Sequence, residues 1–261
     1  MLVRLPSNGV LGFKSVNAVQ PKYKDLLKLV DSDSFDPILK SEFVQLFIDF
    51  DVKKLSICDR DYLYMIGLSS ICPNDLQFSY KHCNKTFNVP YDLSQQDVHT
   101  LKGGKVQKVM DGKLELRVPT VDDEYFAYKF VTEECDEFNK SLFDSVVALR
   151  CVQTDKIDFS SVKRLEETAD ELLDMKGWFA VYSFKHLCFH GIEKKVKVKC
   201  PECGKELTLT LDFPASVCNF GSEDIMNRYR SVMRLGISYN DFLNMTVSEH
   251  LLLLNAENTE E

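Results

Sequence analysis

The sequence predicts an α+β protein of two similar lobes, each with helices packed beside a β-hairpin knuckle, followed by C-terminal helices. Three observations lead there. The apolar residues switch repeatedly between a helical period and strict alternation. Two strand–tip–strand segments, 76–91 and 192–213, resemble each other. Residues 223–261 carry helix starts and stops and no alternating run.

The first element is a short hairpin over residues 1–16, with Val3 and Leu5 on one side of an Asn8-Gly9 turn and Val10, Leu11 and Phe13 on the other. Pro21 opens a helical pattern through Tyr23, Leu26, Leu27 and Val30. After a loop of Asp, Ser and Pro, Leu39, Phe43, Leu46 and Phe47 resume helical spacing. A third helix spans 58–68, with Gly67 as its stop. From Leu76 the period falls to two: Leu76, Phe78 and Tyr80 alternate, then Phe87, Val89 and Tyr91, with His82-Cys83-Asn84-Lys85 between. Residues 92–122 hold Gly103-Gly104, Asp111-Gly112 and the alternating Leu114, Leu116 and Val118, which give one or two more strands.

A helix or helix pair follows at 123–150, then an acidic helix at 160–175 and an aromatic-rich helix or buried segment at 178–187. The second hairpin runs in through Val196, Val198 and Cys200 and out through Leu207, Leu209, Leu211 and Phe213. Three helices close the chain. The first ends at Gly236, the second starts at Tyr239, and Thr246 with Glu249 forms the capping box of the third. The expected divisions are a first lobe at 1–122, a second at 123–222 and a helical segment at 223–261.

The two hairpins align without gaps. Cys83 matches Cys203, Lys85 matches Lys205, and Tyr80 stands where the second hairpin has Cys200. This pattern points to duplication of a helix-plus-knuckle unit. Cys200-Pro-Glu-Cys203-Gly-Lys between two strands is the sequence form of a zinc knuckle. The tight turn brings two thiolates to one point, and tetrahedral zinc needs two further ligands. Cys188 and His190, just before the knuckle, complete the compact set Cys188, His190, Cys200 and Cys203. The other source is the first hairpin, through Cys83 with His82 or Cys72, if the two repeats pack face to face. Either set implies one structural zinc. A redox Cys-x-x-Cys sits at a helix N-terminus, whereas the flanks here are strands.

The 261 residues include 18 Phe and 10 Tyr, an aromatic content that suits protein–protein contacts. A net charge of −8 argues against a duplex nucleic-acid partner. The densest basic run, Lys194, Lys195, Lys197, Lys199 and Lys205, alternates with valines and reads as the wet face of a strand. No signal peptide and no membrane span are expected, since no apolar run approaches the ~18 residues a span needs. With nine cysteines and a reducing compartment, the thiols are expected free or on metal. Cys58, Cys135, Cys151 and Cys218 read as buried small hydrophobes.

The sequence carries no phosphate loop, no dinucleotide fingerprint, no His-Glu-x-x-His and no Gly-x-Ser-x-Gly. His99 and His250 read as surface groups, and acidic runs such as Asp122-Asp123-Glu124 as solvated helix ends. No catalytic residues are assigned, and a non-enzymatic role is expected.

The layout resembles the baseplate hub subunit and hub assembly proteins of T4-type contractile-tailed bacteriophages. The opening hairpin Val3-to-Phe13, the helix from Pro21 and the strand end Phe87-Asn88-Val89-Pro90-Tyr91-Asp92-Leu93 carry it. So does the ending Tyr239-Asn240-Asp241-Phe242 before Met245-Thr246-Val247-Ser248-Glu249-His250-Leu251. That family shows Cys-x-x-Cys in the first hairpin, where this chain has Tyr80 and Cys83. The resemblance implies a structural or chaperone-like protein of the hub, made in the host cytoplasm, with other hub or tail proteins as partners. The alternative reading is a zinc-ribbon adaptor or nucleic-acid-associated module.

Overall fold

A computed structural model describes residues 1–27, 37–71, 76–211 and 222–258. Val30, Cys72, Phe213 and Cys218, named above, lie outside the described residues. The architecture is α+β, with helix-and-hairpin units and C-terminal helices.

Strands β1 (Leu2–Arg4) and β2 (Ser15–Asn17) pair antiparallel, Val3 opposite Val16. Asn8 and Gly9 both take positive φ in the connection, as an Asn-Gly turn requires. Then come α1 (Tyr23–Leu26), α2 (Pro37–Phe47) and α3 (Ile57–Ile71). Helix α3 runs through Gly67 rather than stopping there. The glycine is a contact residue: a Cβ on it would lie 3.0 Å from the Phe47 ring of α2. Strands β3 (Gln77–His82) and β4 (Lys85–Pro90) form the first hairpin, with Tyr80 opposite Phe87.

Strand β5 (Val98–His99), with β6 (Val106–Val109) and β7 (Leu114–Arg117), precedes four helices. They are α4 (Val121–Glu134), α5 (Lys140–Arg150), α6 (Val162–Leu172) and α7 (Met175–Leu187). Thr120 and Asp123 close a capping box at the start of α4. Strand β8 (Gly191–Ile192) pairs with β5 and leads into the second hairpin, β9 (Lys195–Lys199) and β10 (Glu206–Thr210). Helices α8 (Ser222–Met233), α9 (Tyr239–Asn244) and α10 (Val247–Asn258) end the chain. The expected capping box is formed, with the Glu249 carboxylate 2.6 Å from the Thr246 amide.

Two hydrophobic clusters organise these elements. The first gathers Tyr23, Val44, Leu55 and Leu63 with Phe78 and Tyr80 of the first hairpin, Val196 of the second, and Ile225, Phe242 and Val247 of the C-terminal helices. The second is built from 101–188, with Leu116, Val131, Val146, Leu165 and Phe184 at its centre. Both hairpins therefore pack on the first cluster, although the buried residues of the second cluster, Leu101 to Cys188, all lie between them in sequence.

Burial overturns two surface readings. Asp123 and Glu124 are buried: Asp123 pairs with Arg117 and Arg150, and Glu124 with Arg60. Periodicity locates a helix but does not show which acid meets a cation donated by another element. His250 is also buried, between Tyr23 and Ser231. His99 is exposed and pairs with Glu193 at 2.9 Å.

Candidate metal centre

Among the described residues, one group of side chains has the donor set of a metal site: His82, Cys83, Cys200 and Cys203. Their ligand atoms all lie within 4.8 Å of one another. His82 Nδ1 is 3.1 Å from Cys83 Sγ and 3.7 Å from Cys203 Sγ. Around tetrahedral zinc, bond lengths of about 2.0–2.3 Å place neighbouring ligand atoms roughly 3.4–3.8 Å apart. The group is close to that spacing.

The two tips present their ligands differently. His82 pairs with Lys85 across a two-residue turn made by Cys83 and Asn84. Both turn residues sit at positive φ, Cys83 at 49° and Asn84 at 58°. Asn-Gly is the relaxed choice for such a turn. A cysteine at the first position is strained, and strain of this kind gathers where a side chain must be aimed. In the second tip, Cys200 donates its amide to the Lys205 carbonyl at 2.9 Å, around Pro201-Glu202-Cys203-Gly204. Gly204 takes φ 72°, which suits glycine. The centre of the turn thus falls between Cys83 and Asn84 in one hairpin and between Glu202 and Cys203 in the other.

Cys200 is buried, whereas Cys83 and Cys203 are exposed. Burial works against a Cys200 thiolate, but the backbone amides of Cys203 and Glu202 and the His82 ring outweigh it and bring the thiol down to about 6. Cys83 moves up to about 11, through its hydrogen bond with Cys203, burial and the neighbouring Cys200. The hairpins also meet through an ion pair, Lys85 Nζ lying 2.7 and 2.8 Å from the two Glu202 carboxylate oxygens.

Cys188 and His190 are held elsewhere. The His190 Nδ1 donates to the Cys188 carbonyl at 2.7 Å, and its Nε2 pairs with Ser56 Oγ at 2.7 Å. Both ring nitrogens are thereby engaged beside the start of α3. The Cys188 thiol packs in the second hydrophobic cluster, where burial pushes it up to about 12. Cys58 and Cys151 are likewise pushed to about 12 by burial, so these thiols behave as small apolar groups.

Ser56, His190 and Asp59 superficially suggest a nucleophilic triad. The roles are not arranged for one. Asp59 Oδ1 lies 3.6 Å from Nε2, the nitrogen already facing serine, and Nδ1 is spent on a carbonyl. Ser56 Oγ accepts the Asp59 amide, and all three side chains are buried. This is a buried polar network holding β8 against α3.

No helix among the described residues is long and apolar enough to cross a membrane. The chain matches a known family over residues 2–217; the family is described as T4 bacteriophage base plate protein. No curated protein and no solved structure matches it.

Proposed function

The chain belongs to the T4 bacteriophage base plate protein family, and on that premise we propose that it helps to build the central hub of the contractile-tail baseplate. Its role is structural or chaperone-like rather than enzymatic. Its partners are other baseplate and tail proteins, met in the host cytoplasm during assembly. The observation that carries this reading is the extent of the family match, which runs through both hydrophobic clusters and both hairpins. Aromatic side chains left at the surface, among them Phe138 at 48% and Phe179 at 75% exposure, are the kind that anchor protein interfaces.

The alternative, a nucleic-acid-associated zinc ribbon, has less behind it. Lys195, Lys197 and Lys199 are exposed on β9, but they face Thr210, Thr208 and Glu206 across the hairpin. Glu202 at the tip is engaged with Lys85. Such a mixed strip on a chain of net charge −8 lacks the concentrated positive field that phosphate binding needs.

The test is a phage in which this gene carries a stop codon. Filled heads with absent or incomplete tails, and full tails when the protein is supplied in trans, are the expected result. Complete, infectious contractile particles without the protein would overturn the reading.

A further inference from the structure

Beyond the baseplate role, the geometry points to one zinc ion held by His82 Nδ1 and the thiolates of Cys83, Cys200 and Cys203, stapling the first hairpin to the second. The donors are three sulfurs and one imidazole nitrogen, a soft set that suits zinc. Four protein ligands leave no open coordination position, so the ion has a structural role and activates no water. On binding, protons still carried by the three sulfurs are released to solvent and the ion takes their place.

Four further observations support the site. The hairpins form separate two-stranded sheets with no backbone ladder between them. Their tips therefore need a side-chain connection, and the Lys85–Glu202 pair alone is half-exposed and weak. Cys83 is held at φ 49°, in a turn position where cysteine is strained. Gly204 donates its amide to the Cys200 carbonyl at 2.9 Å, which closes the turn that carries Cys200 and Cys203. Finally, the buried Tyr80 hydroxyl, on the strand that leads into His82, makes no hydrogen bond.

The staple has a topological consequence. Lys85 and Glu202 are 117 residues apart in sequence, and the segment between them carries the whole second hydrophobic cluster. One ion would thus close the chain around that cluster and fix the angle between the two hairpins. Removing it should free the hairpins from each other while both clusters persist.

The experiment uses the full chain, purified without added metal or chelator. Metal analysis should find one zinc per chain, and exchange with cobalt should give the visible absorption of a tetrahedral, thiolate-rich site. Cys83→Ser and Cys203→Ser alter exposed positions and should fold, as circular dichroism will show, yet retain less than roughly a tenth of the zinc. Cys188→Ala should keep it all, with Cys188→Val as the substitute if the alanine variant is unstable. Metal-free wild-type protein, or full zinc in folded Cys83→Ser, would overturn the proposal. So would zinc lost from a folded Cys188 variant. None of these outcomes bears on the phage test above, so the two readings fail separately.

Discussion

The Arg60 guanidinium is buried against the Glu124 carboxylate, with Nη1 2.7 Å from Oε2, and so ties α3 to α4. Arg60 also reaches Ser41 Oγ at 2.8 Å and Asp61 Oδ1 at 2.8 Å. Its charge is satisfied by three elements at once. Burial pushes the Glu124 carboxyl above its ordinary value, while Arg60 pulls it back. Glu124→Ala leaves a buried cation short of its main partner, a change that costs about 3–5 kcal/mol. Urea unfolding should show this loss. The double variant Arg60→Met, Glu124→Leu should be closer to wild type than Glu124→Ala is. A single variant within about 0.5 kcal/mol of wild type would show that the pair contributes little.

Asp123 stands one residue earlier, in a different network. Burial alone would raise its carboxyl, but Arg117, at 2.6 Å, and the Thr120 amide and hydroxyl hold it below the ordinary 3.8. A depressed folded value means stability that is present above pH 3.8 and is lost as pH falls through the folded value. Asp123→Asn should therefore be less stable than wild type by about 3 kcal/mol at pH 6. The gap should narrow as pH falls below 3.8. Denaturant melts of both proteins between pH 6 and pH 2.5 test this, and a gap that stays constant through that range would refute the assignment.

His250 couples α10 to α1 and α8. Its Nδ1 faces the Tyr23 hydroxyl at 3.0 Å, and its Nε2 faces Ser231 Oγ at 3.1 Å. Arg228 donates to the Tyr23 oxygen at 3.3 Å, and the Tyr23 hydroxyl is placed to give its proton to the imidazole. A protonated ring would place a second N–H against it. Burial, and then the Arg228 charge, hold the ring below its ordinary 6.5. The stability it contributes is present above 6.5 and is lost as pH falls through the folded value. Hydrogen exchange along 247–258 should accelerate at pH 5.5 relative to pH 7.5, once corrected for the intrinsic rate. His250→Asn should show faster exchange already at pH 7.5 and little further change.

The helices, both hairpins and the Thr246 cap were legible because each rests on local period and local chemistry. The sequence also showed that Cys200 and Cys203 share a tip. It offered two ways to complete their ligand set and gave the nearer one first, because Cys188 and His190 are close in the chain. The structure instead places His82 and Cys83 beside the knuckle, through packing of both hairpins on one cluster. That is a long-range relationship with no periodic signal. The β5–β8 pairing was invisible for the same reason: two residues a side leave no alternation to read. The inward turn of Asp123, Glu124 and His250 depends on Arg117, Arg60 and Tyr23, which lie on other elements. Gly67 looked like a stop because glycine often ends a helix. Its actual reason is the neighbouring ring, and that too comes from tertiary packing.

That ring makes Gly67→Ala informative. In an open helix the change stabilises by about 1 kcal/mol, since alanine is the better helix former. Here the new Cβ would sit 3.0 and 3.1 Å from two carbons of Phe47 and 3.2 Å from Phe43. The rings have little room to withdraw. Phe43 packs against Phe47 and Tyr64, with centroids 4.7 Å away in each case, and both phenylalanines are buried. Overpacking of this kind costs about 1–3 kcal/mol and outweighs the propensity gain. The expected result is a lower urea midpoint with an unchanged slope. Phe47→Leu in the same chain should recover part of it by making room on α2. A variant more stable than wild type would mean that α2 shifts freely away from α3, and that the glycine is not what sets their approach.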